Sequence, residues 1–309
     1  MELTSRFYET ERDLRQMQGL LMEARSRTDD WHYMHIGELT FRFFMVFCHL
    51  NPQEHIRLWH DAENKLVGYA ILGEGPSLDW QVAPEYEWSG IETEALTWAE
   101  TSLAELRKRD ATQWSGNLVS GARQDNGRRR VFLAQHGFRY SGEFAEVNML
   151  RVLADPIPER VSPPGYQIRS IAETDDIPKR AAAHREVWQP WTDGNISDEA
   201  YVSFMQLPAY QRDLDVIATA ADGAVAAFAI GWIDPLNRIG EVGSVGVVPV
   251  YRRQGLMRAV LLEVLRRMQA RGMERACVST GVVNIPAIRL YASVDFESVN
   301  QYLDYSKAT

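Results

Sequence analysis

A proline-rich stretch near the middle of the chain constrains its fold more than any other feature. Residues 155–165 read Asp-Pro-Ile-Pro-Glu-Arg-Val-Ser-Pro-Pro-Gly and hold four of the 13 prolines. Proline lacks a backbone donor and biases the preceding residue towards extended geometry, so neither a helix nor a central strand can run through this stretch. We interpret it as an extended linker between two domains, residues 1–154 and 166–309. The length of 309 residues fits two domains of about 100–200 residues each.

The two halves on either side of this linker resemble each other. Each contains a Val-x-Pro step followed by a tyrosine and then a glycine at the same spacing, in residues 82–90 and 247–255. Near the end of each half, an asparagine precedes a helical pattern that runs into a phenylalanine, in residues 126–138 and 284–296. This shared order predicts an internal duplication, with chance resemblance of two α/β domains as the alternative.

The pattern of apolar residues predicts a mixed α/β sheet with helices on its faces in each half. The predicted order is a strand, one or two helices, three strands, a helix, a strand, a helix and a closing strand. The second half shows this order best. Its predicted strands are 166–171, 216–220, 225–232, 240–248, 275–280 and 297–304, and its predicted helices are 177–187, 256–271 and 286–294.

The composition excludes several classes of protein. The hydrophobic fraction of 45% and the charged fraction of 24% are those of a globular chain rather than a disordered or fibrous one. The longest apolar run, residues 223–232, has the length of a strand, so we expect no membrane span. The first residues lack the pattern of a secretory signal peptide. Two cysteines cannot form a disulfide framework, which predicts a cytoplasmic protein. The net charge of −9 argues against nucleic-acid binding and favours cationic small molecules.

The most informative segment lies around Gly255. An apolar strand ends at the Val-x-Pro step, a polar turn follows, and an amphipathic helix begins at Leu256. This arrangement aims free amide N–H groups and the positive end of the helix dipole at one point, which suits a phosphate. Gly255 lets the backbone approach a ligand closely, and Arg252, Arg253 and Arg258 add positive charge. The alternative is an exposed basic start of a helix.

These residues resemble the acetyl-CoA motif of the GNAT N-acetyltransferase superfamily, Arg/Gln-x-x-Gly-x-Gly/Ala after a Val-x-Pro strand. Arg252 and Gly255 match the motif, whereas Met257 departs from its last, small position, and Asp295 stands where the family usually has glycine. Further landmarks of the family are Asn284, Leu290, Tyr291 and Phe296. The resemblance covers both halves in order and implies two tandem GNAT-like domains, an arrangement most similar to the mycothiol synthase family.

The resemblance implies acetyl-CoA as co-substrate. It implies a splayed parallel strand pair, with pantetheine along the Val-x-Pro strand, pyrophosphate on the turn amides and Asn284 on the opposite side. Tyr291 would protonate the departing thiolate. The cofactor-binding residues expected on this basis are Val247, Val248, Pro249, Arg252, Arg253, Gln254, Gly255, Leu256, Met257, Arg258 and Asn284.

Direct attack of an amine on a thioester also needs a base for the ammonium proton. Glu241 is our candidate, because it lies on the strand that enters the motif. It precedes Val247 by six residues, so strand alternation predicts that both side chains share a face. The alternative is that Glu241 only begins the strand in solvent.

Aromatic residues after the first helix of the second half are candidates for the acceptor wall that the family places there. They are Trp188, Trp191 and Tyr201, with Asp193 and Asp198 nearby. Aromatic faces beside carboxylates suit a cationic amine, and packing in the core is the alternative.

The first half lacks the charges that a phosphate site needs. Glu87 stands where Arg252 stands, Glu92 stands where Met257 stands, and Leu133 replaces Tyr291. Carboxylates at a helix N-terminus suit the dipole but repel pyrophosphate. We therefore expect this half to be catalytically silent.

Five of the seven histidines lie in residues 32–60, and His32-x-x-His35 could place two rings on one helical face. No carboxylate or cysteine stands at a spacing typical of zinc ligands, so we expect no metal site.

The sequence thus predicts an N-acetyltransferase that acetylates a primary amine of a small molecule at one site in the second domain. We expect a monomer or a homodimer. The alternatives are a non-catalytic acyl-CoA-binding or scaffold protein, a protein or peptide amine as acceptor, and a longer acyl group.

Overall fold

The computed structural model describes residues 3–28, 31–47, 49–73, 75–154, 156–159, 161–174, 176–189 and 196–309. Its strands are β1 (Thr4–Phe7), β2 (Ile56–His60), β3 (Leu66–Gly73), β4 (Ser77–Val82), β5 (Leu118–Arg123), β6 (Arg139–Val152), β7 (Tyr166–Ser170), β8 (Asp215–Ala220), β9 (Val225–Asp234), β10 (Ile239–Val247), β11 (Arg275–Gly281) and β12 (Glu297–Lys307). Its helices are α1 (Glu11–Arg25), α2 (Ile36–Phe47), α3 (Pro52–His55), α4 (Ile91–Arg109), α5 (Gly127–Gln135), α6 (Ile177–Trp188), α7 (Asp198–Phe204), α8 (Leu256–Ala270) and α9 (Ile285–Ala292).

The chain forms two compact units that do not follow the two halves of the sequence. Unit 1 comprises Met1–Met34, His49–Val147 and Asn300–Thr309, and unit 2 comprises His35–Cys48 and Asn148–Val299. The predicted ranges 1–154 and 166–309 differ from these units, because α2 belongs to unit 2 and the end of β12 belongs to unit 1. The described residues of the proline-rich stretch form neither helix nor strand.

Unit 1 contains a sheet with the strand order β1-β2-β3-β4-β5-β12. The first four strands are antiparallel, and β5 pairs with β12 from Leu118 to Arg123. Helix α4 packs the side chains Ile91, Ala95 and Ala99 into the core of this unit. Tyr305 of β12 lies in the same core, so the last ten residues of the chain complete unit 1.

Unit 2 contains a sheet with the strand order β6-β11-β10-β9-β8-β7. Helix α8 covers one face at close range, because Gly231 and Gly240 leave room for its side chain Met268. Helices α2, α6 and α7 cover the other face, where Phe44 and Trp232 belong to one buried cluster. Helix α8 therefore packs directly on the sheet that contains β10, the strand before it in the chain. Helix α2 completes the layer on the other face.

The mixed α/β class predicted from the sequence is confirmed. The predicted strands and helices of the second half fall on β7 to β12 and on α6, α8 and α9, with end points that differ by up to three residues. The sequence pattern did not predict α7 or the placement of α2. In the described parts of the chain, no helix has the length and apolar character needed to cross a bilayer.

Candidate active site

Strands β10 and β11 run side by side only at their first residues. Residues 239–241 pair with residues 275–277 in parallel, and within the described residues this pairing goes no further. Because β10 continues to Val247 and β11 to Gly281, the strands part towards their carboxyl ends. The open edge of β10 offers backbone donors and acceptors to an extended ligand.

The turn after β10 has the backbone geometry of an anion site. Gly255 has φ of 77° and Arg253 has φ of 63°, so both adopt the left-handed conformation. The first hydrogen bond of α8 runs from Ala259 N to Gly255 O (3.2 Å). The amides of the first turn of α8 therefore precede the helical hydrogen-bond ladder and remain available to a ligand. A Cβ atom at Gly255 would meet no atom within 4 Å among the described residues, so the space above the turn is open.

The side chains around this turn divide into an exposed and a buried set. Arg252, Arg253, Gln254 and Arg258 are exposed, whereas Leu256 and Met257 are buried. Met257 is 7% exposed, so its side chain packs into the core. Its main chain contributes an amide to the turn, which explains how the motif tolerates a residue that is not small. Arg252 Nε donates to the carbonyl of Val247 (3.4 Å), and Gln254 accepts from the hydroxyl of Tyr166 (2.8 Å).

Asn284 caps α9 on the far side of the splayed strands. Its Oδ1 accepts from Ala287 N (3.4 Å), and its Nδ2 donates to the hydroxyl of Thr280 (3.1 Å). The side chain is exposed. Its capping role fixes the direction of α9, the helix that carries Tyr291.

Val247, Val248 and Pro249, the remaining cofactor-binding residues of the prediction, form the end of the motif strand and the start of the turn. Val248 N donates to Ala226 O (3.0 Å), which anchors this strand end to β9. Val248 is buried and Pro249 is exposed. The strand end is therefore held on its β9 side.

A β-bulge in β10 decides which side chains share a face of the sheet. The register of β10 against β9 shifts once, and β10 has one residue more at that point. Glu241 lies opposite Trp232 and Gly246 lies opposite Phe228, so Glu241 and Gly246 point to one face. The expectation that Glu241 shares a face with Val247 is wrong, because the extra residue reverses the alternation.

Glu241 lies at the last paired position of β10 and β11, where the two strands begin to part. It contacts a histidine that the sequence pattern did not connect with it. His35 Nδ1 is 3.1 Å from Glu241 Oε2, and the side chains are 2% and 11% exposed. The backbone fixes the imidazole on both sides: Gly37 N donates to Nδ1 (3.0 Å), and Nε2 is 3.4 Å from Ile239 O. Glu241 is therefore a buried carboxylate with a positioned imidazole beside it, and not a solvent-exposed start of the strand. No local signal could have paired the two, since they are 206 positions apart in the printed sequence.

Tyr291 lies on α9 and is 2% exposed. Its ring packs edge-on against Phe296, with the ring centroids 6.0 Å apart. Burial raises the pKa of the Tyr291 phenol well above its ordinary value, because a buried phenolate is poorly solvated. The hydroxyl therefore stays protonated and can act as a donor.

The three aromatic residues expected at the acceptor wall have different environments. Trp188 is half-buried and stacks on His184 (centroid distance 5.9 Å). Tyr201 is fully buried and packs against Phe44 and His184. Its position favours the packing alternative over direct contact with an acceptor. Trp191 lies outside the described residues.

Asp295 adopts φ of 62°, the left-handed region in which glycine has no steric penalty. This conformation explains why a glycine would be suited to the position. Here the carboxylate forms an ion pair with Arg151 (3.0 Å), a guanidinium that is only 2% exposed.

Unit 1 has a corresponding strand end with different chemistry. Strands β4 and β5 pair only at Ser77 and Val119 among the described residues. The hydroxyl of Tyr33 lies 2.9 Å from the carbonyl oxygen of Val82 and 2.6 Å from Glu87, and its one proton is shared between these two acceptors. His32 Nε2 lies 2.8 Å from Glu87. The strand-end carbonyl of unit 1 is thus engaged by a side chain of its own unit.

His32 and His35 do not share a helical face, because both precede α2. His32 contacts Glu87 in unit 1, whereas His35 contacts Glu241 in unit 2. In the part of the chain that the structure describes, no three His, Cys, Asp or Glu side chains converge as metal ligands do.

Known proteins are similar to this chain in sequence and in fold. Residues 180–296 match the model of the acetyltransferase (GNAT) family. The mycothiol acetyltransferase of Acidothermus cellulolyticus is 27% identical over 266 residues, which are 78% of this chain and 76% of that protein. The [ribosomal protein bS18]-alanine N-acetyltransferase of Escherichia coli is 27% identical over 144 residues, 45% of this chain and 87% of that protein. The solved structure of a tandem GNAT protein from the clavulanic acid biosynthesis pathway has a TM-score of 0.66 at 16% identity and covers 99% of this chain and 98% of its own.

Proposed function

We propose a specific reaction for this chain, an acyltransferase whose residues 180–296 belong to the GNAT family: transfer of an acetyl group from acetyl-CoA to a primary amine of a small molecule. One site in unit 2 carries out this reaction. The observation that carries the proposal is the conjunction of the splayed strands β10 and β11, the open anion turn at Gly255 and the buried carboxylate of Glu241 at the base of the splay.

The residues present fit acetyl-CoA. The free amides of the first turn of α8 and the exposed guanidiniums of Arg252, Arg253 and Arg258 suit the pyrophosphate. The open edge of β10 up to Val247 suits the amide groups of pantetheine, which can pair with it as a strand does. When bound, acetyl-CoA supplies the thioester carbonyl to be attacked.

Glu241 serves as the base. A carboxylate takes a proton from the ammonium of the acceptor, and the neutral nitrogen then forms a bond to the carbonyl carbon. The carbon–sulfur bond breaks as this intermediate collapses, and the nitrogen loses its second proton to solvent, which leaves a neutral amide and returns a proton to Tyr291. The Glu241 side chain is 11% exposed, and its Oε2 lies 3.1 Å from His35 Nδ1 without a hydrogen-bond partner among the described residues. This oxygen is therefore free to take a proton. Tyr291 donates its phenolic proton to the departing sulfur, since burial keeps that phenol neutral.

The acceptor is a small amine in this proposal. The mycothiol acetyltransferases of Streptomyces bingchenggensis and Acidothermus cellulolyticus align with 82% and 78% of this chain. The net charge of −9 favours cationic ligands. We propose a monomer or a homodimer that works in the cytoplasm. No nucleic acid, membrane or metal takes part.

The test is release of free thiol from acetyl-CoA by the full-length chain across a panel of primary amines. We expect turnover with at least one small amine. Glu241→Gln should lower kcat by about 10²–10⁴-fold, the usual contribution of a general base, and most strongly at low pH, where more of the acceptor is protonated. The Kd for acetyl-CoA should not change.

Tyr291→Phe should lower turnover while cofactor binding is kept. Full activity of this variant would remove Tyr291 from the mechanism, and an unchanged pH–rate profile of Glu241→Gln would remove Glu241 as the base. If acetyl-CoA binds but no small amine is acetylated, the small-molecule acceptor is rejected.

A second candidate acceptor is the terminal amine of a protein or peptide. The observation that favours it is the match of 144 residues to an enzyme whose name specifies an alanine of a ribosomal protein. Peptides with free N-termini belong in the same panel. Turnover with peptides alone would select this candidate.

A further inference from the structure

Unit 1 contains a cavity of about 180 Å³ at the end of β4, where β4 and β5 part. Its walls include the rings of Tyr33, Trp80 and Trp88 and the charged groups of Glu87, Glu92 and Arg128. The proposed reaction takes place in unit 2 and uses none of these residues.

Glu92 supplies the observation that points to a ligand. It is 2% exposed and lines this cavity. Its Oε1 accepts from Trp88 N (2.7 Å), but its buried Oε2 has no hydrogen-bond partner among the described residues. Burial raises the pKa of Glu92. A buried acceptor without a donor is unfavourable, so a ligand that brings an N–H donor into the cavity supplies the hydrogen bond that Oε2 lacks.

The cavity is lined by both negatively and positively charged side chains. Glu87 provides a second carboxylate, held by His32 and Tyr33. The guanidinium of Arg128 lies over the ring of Trp88, 5.0 Å from its centroid, and its side chain is exposed at the cavity. Arg129 also lines the cavity, but its guanidinium pairs with Asp79 (3.2 Å) and lies over the Trp80 ring. A ligand that satisfies both Glu92 and Arg128 carries a positive group and a negative group.

Coenzyme A does not fit these features. The Tyr33 hydroxyl already engages the Val82 carbonyl (2.9 Å), the group that an incoming pantetheine amide would need. The carboxylates of Glu87 and Glu92 repel a pyrophosphate at the start of α4. The volume of about 180 Å³ suits a molecule of a few heavy atoms.

We propose that this cavity of unit 1 binds a small zwitterion, a free α-amino acid, with its ammonium on Glu92 Oε2 and its carboxylate on Arg128. The rings of Trp80 and Trp88 line the cavity beside the ligand. This site is separate from the acetyl transfer site, and its occupancy does not depend on whether the proposed reaction is correct.

Isothermal titration of the full-length chain with L-alanine, L-serine, ethylamine and acetate tests the proposal. We expect saturable binding of alanine or serine and at least tenfold weaker binding of ethylamine and acetate, because each of those satisfies only one side of the cavity. Glu92→Gln should weaken amino-acid binding at least tenfold, and Arg128→Gln should weaken it as well.

Glu85→Gln is the matched control, since Glu85 is a carboxylate of the same turn that pairs with Arg27 and does not line the cavity. It should bind the amino acids as the wild type does. The proposal is overturned if neither amino acid binds, if ethylamine alone binds equally well, or if Glu92→Gln and Glu85→Gln have the same effect. Thermal shifts with the same ligands confirm that each variant is folded.

Discussion

At the scale of single residues, His184 shows how burial makes stability depend on pH. The side chain is fully buried among aromatic rings in unit 2, and neither ring nitrogen has a partner among the described residues. Burial, reinforced by the Arg180 guanidinium, lowers the pKa of His184 from 6.5 to about 3. The unfolded chain therefore takes up a proton between pH 6.5 and 3 that the folded chain does not, and stability falls as the pH falls through this window.

His184→Phe should remove this part of the acid sensitivity. We expect the decrease in the free energy of unfolding between pH 6.5 and pH 4 to be smaller by about 3 kcal/mol than in the wild type. Denaturant unfolding at several pH values measures the difference. Phe204→Leu, a change without a titrating group in the same cluster, should lower stability equally at all pH values. Equal slopes for His184→Phe and the wild type would contradict the assignment.

His35 should act on catalysis through Glu241, since its Nδ1 lies 3.1 Å from the carboxylate. We expect His35→Gln to lower kcat about tenfold in the wild type and to have little further effect in Glu241→Gln, which corresponds to a coupling energy of about 1.4 kcal/mol. The KM for acetyl-CoA should not change. Thr40→Val, in the helix that follows His35, is the control, because Thr40 is buried and donates to Ile36 O. Additive effects of His35→Gln and Glu241→Gln would exclude the positioning role.

At the scale of elements, helix α2 reaches the sheet of unit 2 through a glycine. A Cβ atom at Gly37 would overlap the Cβ, Cγ and Cδ1 atoms of Trp232, a side chain that is 1% exposed. The close approach also fixes His35, which precedes the helix by one residue. The contact between α2 and the sheet thus bears on both the stability of unit 2 and the position of Glu241.

Gly37→Ala and Gly19→Ala should change stability in opposite directions. Gly37→Ala forces Trp232 or α2 to move and should destabilise the chain by about 1–3 kcal/mol. Gly19 lies inside α1, where a Cβ atom would meet nothing within 4 Å among the described residues. Gly19→Ala should therefore stabilise by about 0.5–1 kcal/mol. Thermal unfolding of both variants measures the effects, and a stabilising Gly37→Ala would contradict the described packing.

The sequence predicted the parts of this site that depend on neighbouring residues. The Val-x-Pro strand, the turn at Gly255 and the amphipathic helix follow from local patterns, and α8 begins at the predicted residue, Leu256. The bulge in β10 has no such pattern, because it is defined by the pairing with β9, and it changed the face on which Glu241 lies. The contact of His35 with Glu241 depends on the packing of α2, which no local feature of residues 35–48 reveals.

At the scale of the whole molecule, each unit depends on chain from the other half of the sequence. Unit 2 needs residues 35–48, which supply Phe44 to its core, and unit 1 needs residues 300–309, which pair with β5. The proline-rich stretch marks a boundary in the sequence without separating two self-contained folding segments. Proline content reports on local backbone geometry and carries no information on which distant segments pack together.

A fragment of residues 166–309 should fail to fold cooperatively, although it contains the whole anion turn and Glu241. It lacks α2 and residues 148–152 of unit 2, so apolar surface of β9 and β10 would be exposed. We expect no sharp thermal transition by circular dichroism. Co-expression with residues 1–165 should restore a transition, and a cooperatively folded, active fragment would contradict the described units.

The exchanged segments also fix the order in which the protein can mature on the ribosome. His35 and Ile239, which meet in unit 2, are 204 residues apart, so synthesis at about 5–20 residues per second separates their emergence by about 10–40 s. During that interval α2 has left the exit tunnel without its sheet, and unit 1 still lacks its last strand. Nascent chains of this protein thus expose an apolar helix for most of their synthesis, which makes them candidates for chaperone protection in the cell.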